Sequence, residues 1–107
     1  MPSLTQLLAS HGRLLVLDAA TTRVQVGLIR NGSPARWRSV EDEAGTGLFT
    51  ATQDVLAEAG TKLDEVGAFI FCEGPGSMLG TRTVAMALRT WQVLRPRPVY
   101  AYQSLAL

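Results

Sequence analysis

The sequence predicts an α/β domain with a mixed five-stranded sheet of strand order 3-2-1-4-5 and element order β-β-β-α-β-α-β. Three observations predict this class. Continuous apolar runs are typical of strands buried on both faces, an Asn-Gly pair indicates an early hairpin, and two stretches of helical periodicity separate the later strands. An antiparallel hairpin followed by right-handed crossovers gives this strand order.

The composition bounds the class of protein. A chain of 107 residues with 47% hydrophobic and 18% charged residues is typical of one folded domain with a modest core. Ten Lys and Arg against nine Asp and Glu are scattered, so charge alone argues neither for nor against nucleic acid. Cys72 is the only cysteine, and no run approaches the roughly 20 apolar residues of a membrane span. We therefore expect a cytoplasmic protein without a disulfide and without a membrane partner.

The first twelve residues are predicted to form an arm, and residues 13–107 a single domain. Leu4, Leu7 and Leu8 stand at helical spacing, which predicts a short helix that rests on the domain or on a neighbouring chain. His11 is the only histidine, and no other His or Cys cluster could share a metal with it. We interpret it as a linker residue.

The first three strands follow from apolar patterning. The run Arg13–Asp18 is continuously apolar until its terminal carboxylate, which is typical of a doubly buried strand. Residues 24–29 alternate as a second strand, and Asn31-Gly32 predicts a two-residue hairpin turn. Residues 35–40 alternate tryptophan with arginine, which favours an edge strand guarded by charge.

The next helix is predicted over residues 45–59. The acidic residues 41–43 precede it and favour its dipole, and Gly60 stands where a residue that ends a helix belongs. Thr61 and Asp64 then predict a brief capped turn before the fourth strand.

The second half of the chain is predicted to alternate strand and helix. Residues 68–72 read as a short apolar strand, and a long helix over 78–94 stops before Pro96. A last strand over 98–102 precedes the start of a further helix at 104–107. This is the topology of a ribonuclease-H-like domain, as in one half of an actin-like ATPase.

A nucleotide or phosphate site is predicted beyond the carboxyl ends of the first and fourth strands, where ligands of open α/β sheets collect. The glycine-rich loop there leads into a helix N-terminus, whose free N–H groups favour phosphate. It matches neither the Walker motif nor the dinucleotide fingerprint, so Ser77 capping the helix, with glycines allowing close packing, stays an alternative. The candidate residues are Asp18, Thr21, Thr22, Gly74, Pro75, Gly76 and Ser77.

A partner surface is predicted on the two helices, because small residues at spacings of three and four let another helix approach closely. We expect Val84, Leu88 and Trp91 to face the sheet, which leaves the small stripe for a partner. Burial of both stripes against the sheet is the alternative. The candidate surface comprises Leu48, Thr52, Val55, Gly80, Thr83, Ala87 and Thr90.

A metal-dependent nuclease is the alternative function. Asp18 and Glu73 end adjacent predicted strands, where carboxylates can hold Mg²⁺ for phosphodiester hydrolysis. Such a site needs a third carboxylate, and no other acidic residue is well placed in the sequence.

The loop also carries a family resemblance. The stretch GPGSMLGTR after an apolar strand, LDAATT after the first strand and SLAL after the last resemble the N-terminal lobe of the TsaB (YeaZ) family. Ala19-Ala20 and Met78-Leu79 depart from the family's usual Thr-Ser and Phe-Thr. The matching positions are Gly74, Pro75, Gly76, Ser77, Gly80 and Arg82.

The resemblance implies a non-catalytic scaffold in threonylcarbamoyladenosine modification of tRNA. In that family the two helices pair with a TsaD-like catalytic subunit, or with a second copy, as a helix bundle, and tRNA is engaged indirectly. Family members have a second lobe, and nucleotides of actin-like folds lie between two lobes. We therefore expect no cofactor, or weak ATP and Mg²⁺ binding only with a partner lobe, and no catalytic residue in this chain.

Overall fold

A computed structural model describes residues 4–18, 24–30, 32, 34–40, 44–74 and 78–103. The elements confirm the predicted α/β class. In chain order they are α1 (Leu4–His11), β1 (Arg13–Asp18), β2 (Val24–Arg30), β3 (Arg36–Val40), α2 (Ala44–Glu58), a 3₁₀ turn (Leu63–Glu65), β4 (Ala68–Gly74), α3 (Met78–Leu94) and β5 (Val99–Gln103).

The five strands form one sheet of order β3-β2-β1-β4-β5, as predicted. The central strand β1 is antiparallel to β2 and parallel to β4, with Leu15 beside both Leu28 and Phe69. The predicted edge strand β3 is at an edge, and its Arg38 forms an ion pair with Glu58 of α2 at 2.6 Å. The pairing of Leu28 with Arg36 needs a connection longer than the predicted two-residue turn.

The α2 and α3 helices cover one face of the sheet and enclose the larger core. Alternation along β1 points Leu15 and Leu17 to this face, where the Phe69 and Trp91 rings lie 5.4 Å apart. The buried members of this cluster are Leu15, Leu17, Val24, Val26, Leu28, Leu48, Ala51, Val55, Leu56, Val66, Phe69, Val84, Ala87, Leu88 and Trp91.

The opposite face carries only α1 among the described helices. Its small cluster has the buried members Leu7, Leu14, Val16, Ala68 and Ile70. Trp37 lies beside this cluster on the edge strand with 51% of its surface exposed. Its ring packs so closely on β2 that a Cβ at Gly27 would lie 2.6 Å from ring carbons.

Gly60 follows the last turn of α2 and terminates the helix, as predicted. Gly60 has φ +61, and its N–H donates to the Ala57 carbonyl while the Thr61 N–H donates to the Leu56 carbonyl. These two bonds form a Schellman motif. The predicted cap by Thr61 and Asp64 is wrong by one residue, because the turn is closed by a bond from the Lys62 N–H to the Glu65 carboxylate at 2.8 Å.

Arg97 lies in the connection between α3 and β5 and holds it in place by hydrogen bonds. Its guanidinium is buried, donates to the carbonyl oxygens of Leu63, Val66 and Arg95, and lies 4.8 Å above the Phe69 ring centre. Burial, with Arg95 nearby, lowers the pKa of Arg97 below its ordinary value. One side chain therefore joins the 3₁₀ turn, the last loop and the core.

Within the described ranges, no helix combines the length and the apolar character that crossing a membrane requires.

Candidate functional site

The predicted nucleotide site lies beyond two neighbouring strands, and β4 continues through Gly74, which the sequence had assigned to the loop. Asp18 ends β1 and Gly74 ends β4, and these neighbouring strands run parallel, with Leu17 beside Phe71. Their carboxyl ends therefore lie at one edge of the sheet. The predicted site residues Thr21, Thr22, Pro75, Gly76 and Ser77 lie outside the described part of the chain. Phosphate binding at this edge stays a prediction.

The nuclease alternative rests on Asp18 and Glu73. Asp18 is half-buried at the end of β1, and the Glu73 side chain is outside what the structure describes. Among the described side chains, no three His, Cys, Asp or Glu residues lie together where they could hold a metal ion. The described residues therefore add no ligand to the two predicted from the sequence.

The predicted partner stripe is wrong at four of its positions. Leu48, Thr52, Val55 and Ala87 are all buried within this chain. The reason is that α2 and α3 pack on one face of the sheet, and Leu48, Val55 and Ala87 belong to the core cluster that the helices enclose with the strands. This is the alternative, burial of the stripes against the sheet. The buried Thr52 hydroxyl donates to the Leu48 carbonyl oxygen at 2.8 Å, which removes the cost of burying it.

The remaining stripe positions are on α3. Gly80 and Thr83 lie within the helix, but the structure does not describe whether they are exposed. Thr90 is exposed, and its hydroxyl donates to the Met86 carbonyl oxygen at 3.1 Å. The expected inward residues are confirmed as buried: Val84, Leu88 and Trp91.

A different surface of α3 is apolar and exposed. Met86, Val93 and Leu94 have 69%, 81% and 70% of their surfaces exposed, and Thr90 lies among them. The four residues recur at helical spacing, so they share one side of the helix, away from Val84. We call Met86, Thr90, Val93 and Leu94 the α3 face. Its signal in the sequence is the apolar set Met86, Val93 and Leu94, which adjoins the stripe of small residues at Thr90.

Other exposed residues of the helix layer are Phe49 on α2 and two arginines on α3. Phe49 of α2 is 42% exposed, and its ring meets the buried Trp91 edge to face at 6.0 Å between ring centres. Arg82 and Arg89 are exposed on α3. An apolar centre with charged residues at its border is the usual arrangement of a protein interface.

The fold is similar to two solved structures. The first is YeaZ from Pseudomonas aeruginosa, with a TM-score of 0.82 and 32% sequence identity over 89% of this chain and 44% of that chain. The second is described as an uncharacterized protein with similarity to peptidase YeaZ from Pseudomonas aeruginosa. It has a TM-score of 0.81 and 31% identity over the same shares, 89% and 44%.

A curated relative is similar in sequence. The tRNA threonylcarbamoyladenosine biosynthesis protein TsaB of Escherichia coli K12 is 32% identical over 71 residues, which is 65% of this chain and 31% of the relative. No protein-family model matches the chain. The chain spans less than half the length of each of these relatives, 44% and 31%.

Proposed function

Because this chain belongs to the TsaB (YeaZ) family, we propose that it is a non-catalytic binding protein that supports a TsaD-like subunit in threonylcarbamoyladenosine modification of tRNA. The name of the Escherichia coli relative supplies the pathway. The family resemblance of the glycine loop suggests the partner, and the exposed apolar side of α3 supports a surface for it.

The α3 face is the observation that carries the proposal. Met86, Val93 and Leu94 stand at one side of one helix with most of their surface in water. Burying each of them would contribute about 1.5–3 kcal/mol from removed apolar surface. Exposed apolar side chains grouped on one side of a helix are typical of a surface that docks on another protein.

The shape of the α3 face suits a partner helix. Thr90 is a short side chain between Met86 and Val93, so a partner's backbone can approach there while the longer side chains pack around it. Arg82 and Arg89 then meet acidic or polar groups at the border. The four buried positions of the predicted stripe take no part in this binding, and Thr90 is the exposed stripe position that the α3 face includes.

The binding test compares two aspartate substitutions on the same helix. Val93→Asp places a carboxylate in the centre of the α3 face, whereas Ala85→Asp places one on an exposed position outside it. Titration calorimetry against the TsaD homologue of the same organism should show a loss of affinity of about 30-fold or more for Val93→Asp. Ala85→Asp should stay within about 3-fold of the unsubstituted chain.

Sedimentation of the chain alone identifies the other candidate partner, a second copy. If Val93→Asp dissociates a homodimer and no TsaD binding is seen with the unsubstituted chain, the α3 face serves self-association and the supporting role is wrong. Equal TsaD affinity for Val93→Asp and Ala85→Asp would overturn the assignment of the α3 face.

A further inference from the structure

The α1 helix is held on the sheet by its leucine side and by its last residue. Leu7 is 2% exposed and packs with the buried residues of the small cluster, while Leu8 is half-buried beside it. At the end of the helix, the His11 ring nitrogen Nε2 lies 3.1 Å from the Tyr100 hydroxyl. A helix of eight residues is too short to be stable alone in water. The sheet face therefore holds α1 in its helical form.

A single residue, Gly12, joins α1 to β1. Gly12 has φ +77, and its N–H donates to the Leu8 carbonyl oxygen at 2.8 Å. A Cβ added at Gly12 would meet no atom within 4 Å. A substitution there changes the backbone preference of the hinge without a steric collision, because only glycine adopts this left-handed conformation freely.

We propose that α1 is an exchangeable arm, and that the face it covers accepts the α1 helix of a second copy of this chain. The seated helix is itself the evidence of fit, since a second copy brings the same Leu7 and Leu8 to the same cluster. Opening the hinge at Gly12 extends α1 away from β1, and the packing that α1 gives up within one chain forms again between two chains. This interface uses the side of the sheet opposite to α3.

The hinge decides between the closed monomer and the exchanged dimer. With glycine the closed turn is unstrained. The α1 helix then binds the sheet of its own chain rather than that of a second copy, because the effective concentration within one chain is in the millimolar range. A β-branched residue disfavours positive φ and so disfavours the closed turn by about 10-fold. An exchanged dimer opens two hinges, so the dimerisation constant should rise roughly 100-fold.

Analytical ultracentrifugation of the 107-residue chain with Gly12→Val tests the exchange. The Val93→Asp background removes self-association through the α3 face. The matched control is Gly60→Val, because Gly60 has φ +61 and a Cβ there also meets nothing within 4 Å, but it follows α2 and carries no arm. We expect dimerisation to strengthen about 100-fold for Gly12→Val, less for Gly12→Ala, and not at all for Gly60→Val.

Leu7→Ser added to Gly12→Val separates arm exchange from simple adhesion of an uncovered apolar face. Arm exchange requires Leu7, so the variant that carries both Gly12→Val and Leu7→Ser in the same background should return to the monomer level of the control. Adhesion would instead persist or increase, because more apolar surface is uncovered. The proposal is overturned if Gly12→Val or Gly12→Ala is no more dimeric than Gly60→Val. It is also overturned if Leu7→Ser leaves the dimer intact.

Discussion

The two faces of the sheet differ in how many buried side chains pack on them. Fifteen buried residues pack between the sheet and the pair α2 and α3, whereas five form the cluster beneath α1 in the described part of the chain. Hydrophobic stabilisation grows with the apolar area removed from water, so the first face supplies most of the free energy of folding. The second face is the part of the fold that can open or change partners without unfolding the rest.

The largest expected effect is on the α2 and α3 side. Phe69→Ala removes a fully buried ring that packs on Trp91 and supports the Arg97 guanidinium. We expect the free energy of unfolding to fall by about 3–5 kcal/mol in urea titrations. A loss below about 1.5 kcal/mol, the usual cost of removing one methylene group, would show that this core is loosely packed.

Arg97→Met should have the next largest effect. It leaves the Leu63 carbonyl oxygen without its 2.6 Å donor and removes the cation above Phe69, while Val66 keeps the bond from Arg95. We expect a loss of about 2–3 kcal/mol in the free energy of unfolding. Arg97→Lys keeps the charge but lacks the fork of donors, so it should recover less than half of the loss.

Leu7→Ala measures the α1 side in the same assay. A buried leucine replaced by alanine ordinarily costs about 2–5 kcal/mol. Here the cost should be nearer 1–2 kcal/mol, since α1 can leave the sheet before the core unfolds. A loss as large as that of Phe69→Ala would contradict the difference between the two faces.

Two glycine substitutions on the α1 side should differ from each other. A Cβ at Gly67 collides with the His11 backbone carbonyl, whereas a Cβ at Gly27 meets the ring of Trp37, which is half-exposed and can swing outward. We expect Gly67→Ala to cost about 1–2 kcal/mol and to speed proteolysis of α1, and Gly27→Ala to cost less than about 1 kcal/mol. Equal costs would show that Trp37 is as rigid as the backbone.

Local signals in the sequence predicted most of the fold. Arg13–Asp18 and Met78–Leu94 have the predicted bounds. The first is marked by a continuous apolar run and the second by a proline after a periodic stretch, and both are signals that depend only on neighbouring residues. The cap at Lys62 and Glu65 was not predicted. Threonine is a preferred capping residue and lysine is not, so the sequence favoured Thr61 with Asp64, one residue earlier.

The partner surface could be predicted only in part. Periodicity assigned Val84 and Trp91 to the core correctly, but it left open whether Thr52 and Ala87 face the sheet or a partner, and both are buried. That burial is a tertiary arrangement with no signature inside either helix. The α3 face around Val93 could have been predicted from the sequence. A helix with apolar residues on two sides can bury only one of them against the sheet, so the other side is exposed.

Hydrogen exchange measured by NMR tests the difference between the two faces most directly. Amides of α1, and the Gly12 amide bonded to Leu8, should exchange through an opening that costs at least about 2 kcal/mol less than the opening of Val16 and Ile70. The strand amides should report the same free energy as urea unfolding. If the amides of α1, of β1 and of β4 all exchanged with the same free energy of opening, the account would be contradicted.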